Sequence, residues 1–214
     1  KENGFKKKED AKADPGIKQG TALVCIVEKV ERKKENKNPP LLFNLAELQN
    51  VCSKLFKISP DETLSIVQDL YEKKLVTYQE PTQGFITAVA KEIYKNISGL
   101  RSYPQAGEAA QGVLELGTYK NIAKTRYTND KQITDHYAII PTGQGLSALK
   151  GLSLTAQRVY ETIVSVFLSI FYPPAVYQKV SLVTKIQNEF FFSFFKVLLS
   201  EGYLKIAANS FAKK

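Results

Sequence analysis

The most constraining feature of this chain is a helical middle held between two β-prone ends. Residues 21–30 (TALVCIVEKV) are rich in β-branched side chains and predict an inner strand. Residues 180–186, 190–199 and 203–206 predict three further strands near the other end. Because neither end has enough strands for a stable sheet of its own, the pattern predicts an α+β fold with a helical domain inserted into an antiparallel β domain.

Proline pairs mark the two boundaries of the predicted insertion. Pro39-Pro40 closes the charged stretch after the first strand, and Pro173-Pro174 ends the last long helical pattern. We therefore expect residues 1–38 and 173–214 to form the β domain and residues 39–172 to form the inserted domain. The chain starts with Lys1 and has no Met, which predicts a piece of a longer protein.

Charge and composition narrow the functional class. The 214 residues carry a net charge of +9, concentrated at both ends and in residues 117–151, which favours a polyanionic partner such as nucleic acid. The longest apolar run is about half of the ~20 residues that a membrane span needs. Cys25 and Cys52 sit in apolar patterns and predict buried thiols in a reducing compartment. These features predict a soluble, cytoplasmic protein.

Two adjoining helices and a short strand form the most informative local pattern. Asn44 and Ser59 are predicted N-caps, and Pro60 and Glu62 complete a strong start signal for the second helix. The β-prone residues 75–78 follow. This outline is that of a winged-helix type of helix-turn-helix, although a plain helical hairpin fits the same pattern. Further helices are predicted over residues 87–97, 106–116 and 153–171.

Candidate nucleic-acid contacts lie in a polar loop and at the end of the second helix. Tyr119 and Tyr127 are interleaved with the loop's cations and could stack on unpaired bases. The predicted DNA-binding residues are Lys73, Lys74, Lys120, Lys124, Arg126, Lys131 and Thr142.

The sequence offers few groups for catalysis. It has no glycine-rich phosphate loop, no metal-ligand spacing and a single histidine, His136. Tyr78, at the end of a predicted strand, could attack phosphorus, but a phenol with a pKa of about 10 needs cationic help. His136 could supply such a contact. From the residues alone, the pattern favours a half-buried wing tyrosine and a structural, hydrogen-bonded histidine over catalytic roles.

Three motifs together resemble a known family. PPLLFNLAELQNVCSKLF, TLSIVQDLYEKKLVTY and DHYAIIPT, in that order, are similar to motifs of the type IA DNA topoisomerases, nearest to the bacterial topoisomerase III branch. The resemblance covers residues 20–206. It implies an arched β domain at the two ends and a winged-helix-like (CAP-like) tyrosine domain between them.

The resemblance also implies a chemistry. Tyr78 matches the tyrosine that attacks one DNA strand and becomes 5′-phosphotyrosyl, and His136 matches the histidine that contacts the scissile phosphate. Single-stranded DNA would be the preferred partner. The chain departs from the family after Tyr78, where Glu80 stands in place of a phosphate-stabilising arginine. The stretch that follows is also one residue shorter than the family pattern.

A second departure concerns the metal. The family's acidic Mg²⁺-binding cluster lies in an N-terminal domain that nothing here matches, so the resemblance implies Mg²⁺ for the full enzyme and a fragment that is inactive alone. Two other hypotheses remain open at this point. One is a non-catalytic winged-helix DNA-binding module, and the other is a scaffold that does not touch nucleic acid.

Overall fold

The computed structural model of the chain describes residues 25–78, 90–128 and 138–211. The chain divides into two compact units, one of residues 1–37 and 176–200 and one of residues 38–175 and 201–214. The elements in chain order are β1 (Cys25–Lys37), α1 (Leu45–Phe56), α2 (Pro60–Glu72), α3 (Ala90–Gly99), α4 (Gly107–Leu116), α5 (Leu154–Ser169), β2 (Ala175–Ile186), β3 (Glu189–Ser200) and α6 (Leu204–Phe211), with short 3₁₀ helices at Leu100–Ser102, Thr118–Lys124 and Leu146–Gly151. The fold is therefore α+β, as the sequence predicts.

The first unit is built on a three-stranded sheet in the order β1-β2-β3. β2 and β3 form an antiparallel hairpin in which Lys179 pairs with Lys196 and Lys185 with Phe190. The turn uses Gln187 in the left-handed region, at φ 55°. The two strands predicted at residues 180–186 and 190–199 are confirmed, and both are longer than predicted.

The prediction of an inner first strand is wrong. Within the described residues β1 lies at an edge of the sheet and its side chains are largely exposed. The strand also continues through the charged stretch to Lys37, because charged side chains on this edge reach water or pair with each other, as Lys29 does with Glu31 at 2.5 Å. For the same reason Cys25, predicted to be buried, is exposed, whereas Cys52 is buried.

Side-chain caps start the helices where the sequence predicts. The Asn44 side chain accepts a hydrogen bond from the Glu47 N–H at 2.8 Å, and the Ser59 hydroxyl accepts one from the Glu62 N–H at 3.1 Å. Ser153 caps α5 in the same way. Each cap satisfies an N–H that the first turn of a helix leaves without a partner, so the three starts are confirmed.

The second unit packs its helices around α5. Val159, Tyr160, Ile163 and Phe167 of α5 are buried, and the Tyr160 ring meets the Tyr103 ring edge to face at 5.3 Å. α1 packs on α2, α3 on α4, and α5 contacts α2, α4 and α6. Among the described residues, no helix has the length and apolar character that crossing a membrane requires.

The strand predicted at residues 203–206 is wrong, because these residues enter helix α6. The Tyr203 N–H donates to the Pro173 carbonyl oxygen at 2.9 Å, and the Ala207 N–H then bonds back to the Tyr203 carbonyl. Gly202, at φ 50°, makes the turn into the helix. The apolar residues of this segment pack on α5, so tertiary packing overrides a weak local β preference.

Candidate nucleic-acid interface

The candidate site begins with residues 75–78, a short extended segment with one isolated bridge, here called the Tyr78 strand, which is held by a distant segment. The Thr77 N–H donates to the Ile140 carbonyl at 2.9 Å, and the Thr142 N–H donates to the Leu75 carbonyl at 3.0 Å. The Thr77 hydroxyl donates to the Ala138 carbonyl at 2.9 Å and accepts from the Ile140 N–H at 3.1 Å. Residues 75–78 are thus paired antiparallel with residues 138–142, as the Val76–Pro141 bridge also indicates.

Thr142 closes this pairing at the other end. Its hydroxyl donates to the Lys74 carbonyl at 2.5 Å and accepts from the Gln144 N–H at 3.1 Å. The next turn passes close to α2, because a Cβ on Gly145 would come 2.3 Å from the Lys73 carbonyl oxygen. Thr142 therefore joins the predicted motif to the end of α2, and its hydroxyl is already engaged in holding the backbone there.

Lys74 lies in an unusual backbone conformation where α2 ends. The Leu75 N–H bonds to the Leu70 carbonyl at 2.9 Å and the Lys74 N–H bonds to the Tyr71 carbonyl at 2.8 Å. These bonds define a Schellman cap, a motif that normally has glycine at its left-handed position. Here that position is Lys74, at φ 59°. Its side chain is exposed, whereas the neighbouring Lys73 ammonium pairs with the Asp69 carboxylate.

Tyr78 is half-buried at the end of the described strand. Its ring meets the Tyr71 ring nearly edge-on, with centroids 6.2 Å apart and planes at 70°. Tyr71 lies in the last turn of α2 and is 51% exposed. Periodicity provides no reason to single out Tyr71, because the helix ends at Glu72 and the contact with Tyr78 is made across the turn that follows.

The basic loop residues belong to a different part of the second unit. Lys120 and Lys124 lie on the 3₁₀ helix Thr118–Lys124, which packs against α3 and α4, and both side chains are exposed. The Tyr119 ring contacts the Tyr94 ring at 5.7 Å, and Tyr94 is 43% exposed. Tyr94 is a second aromatic residue that sequence periodicity did not single out.

Tyr127 cannot serve as the stacking surface predicted for it. Its side chain is buried and its hydroxyl donates to the Pro39 carbonyl at 3.0 Å. Burial raises the pKa of Tyr127 to about 12. The Arg126 guanidinium lies 5.9 Å over its ring and remains exposed. The prediction is wrong because a bond to a residue far away in sequence turns this ring inward.

Burial also makes the core tyrosines poor nucleophiles. Burial raises the pKa of Tyr103 to about 12 and raises the pKa of Tyr160 as well. Phenols held neutral inside the core cannot reach a bound phosphodiester. Tyr78, at the end of its strand, lies outside that core, although its ring packs against it.

Three residues of the sequence argument lie outside the described residues: His136, Lys131 and Glu80. The structure thus places Thr142 beside Lys74 at the end of α2, and Tyr78 at the opposite end of the same pairing, next to Tyr71. It places Lys120, Lys124 and Arg126 on a separate segment.

In the described ranges, no group of three or more His, Cys, Asp or Glu side chains is positioned to hold a metal ion. The residues that the structure describes therefore do not fit a magnesium site.

Comparisons with known proteins identify the class. The sequence profile of the DNA topoisomerase family matches residues 1–214. The chain is 34% identical over 190 residues to DNA topoisomerase 3 of Bacillus licheniformis, covering 88% of this chain and 25% of that protein. It is 31% identical over 181 residues to DNA topoisomerase 3 of Bacillus subtilis, covering 84% of this chain and 24% of that protein.

A solved structure has the same fold. Full-length topoisomerase I from Thermotoga maritima matches with a TM-score of 0.63 at 21% identity, covering 96% of this chain and 32% of that one. The chain belongs to the type IA DNA topoisomerase family. The two Bacillus relatives named above are both DNA topoisomerase 3, and the chain spans about a quarter of the length of each.

Proposed function

We propose that this chain supplies the strand-cleaving tyrosine of a type IA topoisomerase and binds single-stranded DNA around it. The observation that carries the proposal is the pairing of residues 75–78 with residues 138–142. The two segments are about 60 residues apart in sequence, and both belong to the motifs that resemble the family. Family membership supports strand cleavage and religation as the chemistry of the parent protein.

Tyr78 is the proposed nucleophile. Its phenol oxygen would form a bond to a backbone phosphorus while the bond from that phosphorus to the 3′ oxygen breaks. The phenol proton leaves as the new bond forms, and the departing 3′ oxygen is protonated. The products are a 5′-phosphotyrosyl link and a free 3′ hydroxyl, and the reverse attack reseals the strand.

His136 is proposed to contact the phosphate under attack. Ala138, two residues after His136, accepts a hydrogen bond from the Thr77 hydroxyl through its carbonyl oxygen. Two residues span at most about 7 Å, so covalent connectivity supports His136 as a neighbour of the Tyr78 strand. A cation there would offset charge as it develops on the phosphate.

The exposed cations are the proposed backbone contacts. Lys74, Lys120, Lys124 and Arg126 have exposed side chains in the structure, and Lys131 and Thr142 complete the set predicted from sequence. Lys73 would have to exchange its ion pair with Asp69 for a phosphate. Single strands would be preferred because the exposed rings of Tyr71 and Tyr94 can stack on unpaired bases of any sequence.

The finer architecture is also a proposal. We assign the compact unit of residues 1–37 and 176–200 to the β-arch domain of the family. The unit of residues 38–175 and 201–214 is assigned to a winged-helix-like tyrosine domain, in which α1, α2 and the paired segments 75–78 and 138–142 would form the helices and the wing. The cytoplasm is the compartment where such an enzyme would meet its DNA. A non-catalytic duplex-binding module is less well supported, because the exposed face of α2 carries Glu62, Asp69 and Glu72.

Trapping the covalent link tests the proposal. The chain is mixed with the remaining part of Bacillus subtilis DNA topoisomerase 3, Mg²⁺ and a labelled single-stranded oligonucleotide, and denatured samples are examined for labelled protein. We expect an adduct with the unaltered chain and none with Tyr78→Phe. Tyr71→Phe is the matched control, since its ring touches that of Tyr78, and it should retain the adduct.

Glu80→Arg supplies a further arm. It replaces an anion with the bidentate phosphate donor that the family resemblance implies, so adduct yield should rise. An adduct that persists in Tyr78→Phe would overturn the assignment of the nucleophile. The lack of any adduct in both the unaltered and Glu80→Arg chains would overturn the proposed cleavage by this chain.

A further inference from the structure

One face of the β2–β3 hairpin carries phenylalanine rings and lysines together. Directly paired residues in an antiparallel hairpin point to the same face, and alternate residues of a strand share a face. Phe190, Phe192 and Phe194 of β3 therefore share one face with Lys196 and with the residues of β2 opposite them, which are Lys179, Ser181, Val183 and Lys185. The name aromatic–lysine face is used for Lys179, Lys185, Phe190, Phe192, Phe194 and Lys196.

The three rings of this face are open to solvent. Phe190, Phe192 and Phe194 are 49%, 62% and 76% exposed. Their Cα atoms are spaced by two strand residues, roughly 6.8 Å. That spacing is about twice the ~3.4 Å rise per base of a duplex strand, so bases stacked on successive rings must belong to an extended single strand.

The charges of the face are complementary to a phosphate backbone. The Glu35 carboxylate of β1 lies 3.2 Å from the Lys179 ammonium and 2.7 Å from the Lys196 ammonium. The three lysines of the face and this one carboxylate together have a net charge of +2. The Lys185 ammonium lies 5.4 Å over the Phe190 ring. Among the described residues of β2 and β3, no acidic side chain shares the face.

The opposite face of the same hairpin has a different chemistry. Its pairs include Val180 with Phe195 and Leu182 with Ser193, and Val180 is buried. Apart from Glu189 at the turn it has no charged residue among the described positions of β2 and β3. Protein interfaces are depleted of lysine at their cores, so this apolar face suits a protein neighbour. The aromatic–lysine face does not.

We propose that the aromatic–lysine face is a stacking platform for single-stranded DNA, with bases on Phe190, Phe192 and Phe194 and phosphates on the lysines. The platform belongs to the compact unit that does not contain Tyr78. It is therefore a second strand-binding surface, beyond the one proposed around the nucleophile.

Two neighbouring phenylalanines give a matched test in the intact chain. Phe194 and Phe195 are 76% and 51% exposed and point to opposite faces of β3. Fluorescence anisotropy would compare a labelled oligothymidylate with an abasic oligonucleotide of equal length. Because one stacked base is worth roughly 5- to 150-fold in affinity, Phe194→Ala should weaken oligothymidylate binding at least fivefold. Phe195→Ala should leave it unchanged, and Phe194→Tyr, which keeps a ring, should retain it.

The abasic oligonucleotide and salt separate stacking from charge. Phe194→Ala should not change abasic binding, whereas Lys185→Gln should lower the magnitude of the log–log salt slope by about 0.7 for each single-strand phosphate that the variant no longer neutralises. Equal effects of Phe194→Ala and Phe195→Ala, or no effect of either, would overturn the platform. So would a Phe194→Ala chain that binds normally but loses self-association in sedimentation, since the face would then contact a second copy.

Circular dichroism of each variant verifies that the fold is retained. The platform's failure is distinguishable from failure of the proposed function. Tyr78→Phe should leave the Phe194→Ala effect intact. If the adduct at Tyr78 forms normally but Phe194→Ala does not change oligothymidylate affinity, the platform is overturned and the proposed function stands.

Discussion

Gly99 and Gly143 meet backbone to backbone: a Cβ built on Gly99 would come 2.2 Å from the Gly143 carbonyl oxygen. Gly143 is itself at φ 75°, and a Cβ there would come 2.5 Å from the Asn96 carbonyl oxygen. The Asn96 side-chain amide donates to the Pro141 carbonyl at 3.0 Å beside this contact. The end of α3 therefore fixes the segment that pairs with the Tyr78 strand.

Replacing Gly99 should disturb that segment. Gly99→Ala forces the Gly143 backbone to move, and overpacking of this kind costs about 1–3 kcal/mol of the free energy of unfolding. Urea unfolding followed by circular dichroism measures the loss. Gly151→Ala is the control, because nothing lies within 4 Å of a Cβ at Gly151, and it should be nearly neutral. Equal stability of the two variants would contradict the close contact.

Lys74→Gly should stabilise the fold and weaken DNA binding at once. A non-glycine residue in the left-handed region costs about 1–2 kcal/mol. Glycine avoids that cost but loses about 0.5–1 kcal/mol of stability, because it gives up more backbone entropy on folding. The net gain in the free energy of unfolding should be about 0.5–1 kcal/mol, measured by urea titration.

Its control is the adjacent lysine. Lys73 has φ −80°, so Lys73→Gly should lose stability. Single-strand affinity, measured by anisotropy, should fall for Lys74→Gly because an exposed cation is removed. A destabilised Lys74→Gly chain would argue against the left-handed cap.

The two cysteines should differ in reactivity. Burial raises the pKa of Cys52 to about 11, so at pH 8 only about one molecule in a thousand carries its thiolate. A chromogenic disulfide should titrate one thiol, Cys25, in the native chain and the second only after unfolding. Cys25→Ala should abolish the native reaction. Fast release of two thiols from the folded chain would contradict the burial.

The same pKa has a consequence for alkaline stability. Because the folded pKa of Cys52 is raised, its contribution is fully present below the unfolded value of about 8.5 and is lost as pH rises through the folded value of about 11. Cys52→Ala should flatten the decline of thermal stability over this pH range. Cys25→Ala should leave the decline unchanged.

Glu35 should make the sheet sensitive to acid. Hydrogen bonds from Lys196 and then Lys179 hold the pKa of Glu35 below its ordinary value. Its contribution is therefore present above the unfolded pKa of about 4.3 and is lost as pH falls through the folded value. The NMR amide signals of β3 should lose intensity on acidification, and the loss should be smaller in Glu35→Gln. A Glu35 carboxyl titrating at its ordinary pKa by NMR would contradict the bridge.

Helix starts could be predicted from sequence because their causes are local. Asn44, Ser59 and Ser153 act within three residues of themselves, so the caps are visible without knowledge of the fold. The β-prone pattern of residues 180–186 likewise predicted β2. These elements need no information beyond their own neighbours.

The rest depends on contacts between distant residues. The pairing of residues 75–78 with 138–142 leaves no periodic signal, and only the family motifs indicated that both segments matter. The inward turn of Tyr127 follows from its bond to Pro39, 88 residues away. Lys74 occupies a position that sequence rules reserve for glycine. Residues 203–206 became helical through their contact with α5.

The bond between Tyr203 and Pro173 has a consequence for how the chain can be cut. The helical unit is left at Ala175 and re-entered at Glu201, and the 25 residues between belong to the other unit. Because the Tyr203 N–H holds to the Pro173 carbonyl at 2.9 Å, the two ends of this excursion are already tied together inside the helical unit. A short glycine-serine bridge could replace residues 176–200 without breaking that tie. Because β1 pairs with β2, residues 1–37 would be removed together with the hairpin. A minimal domain cut in this way keeps Tyr78 and the segment 138–142 that pairs with its strand.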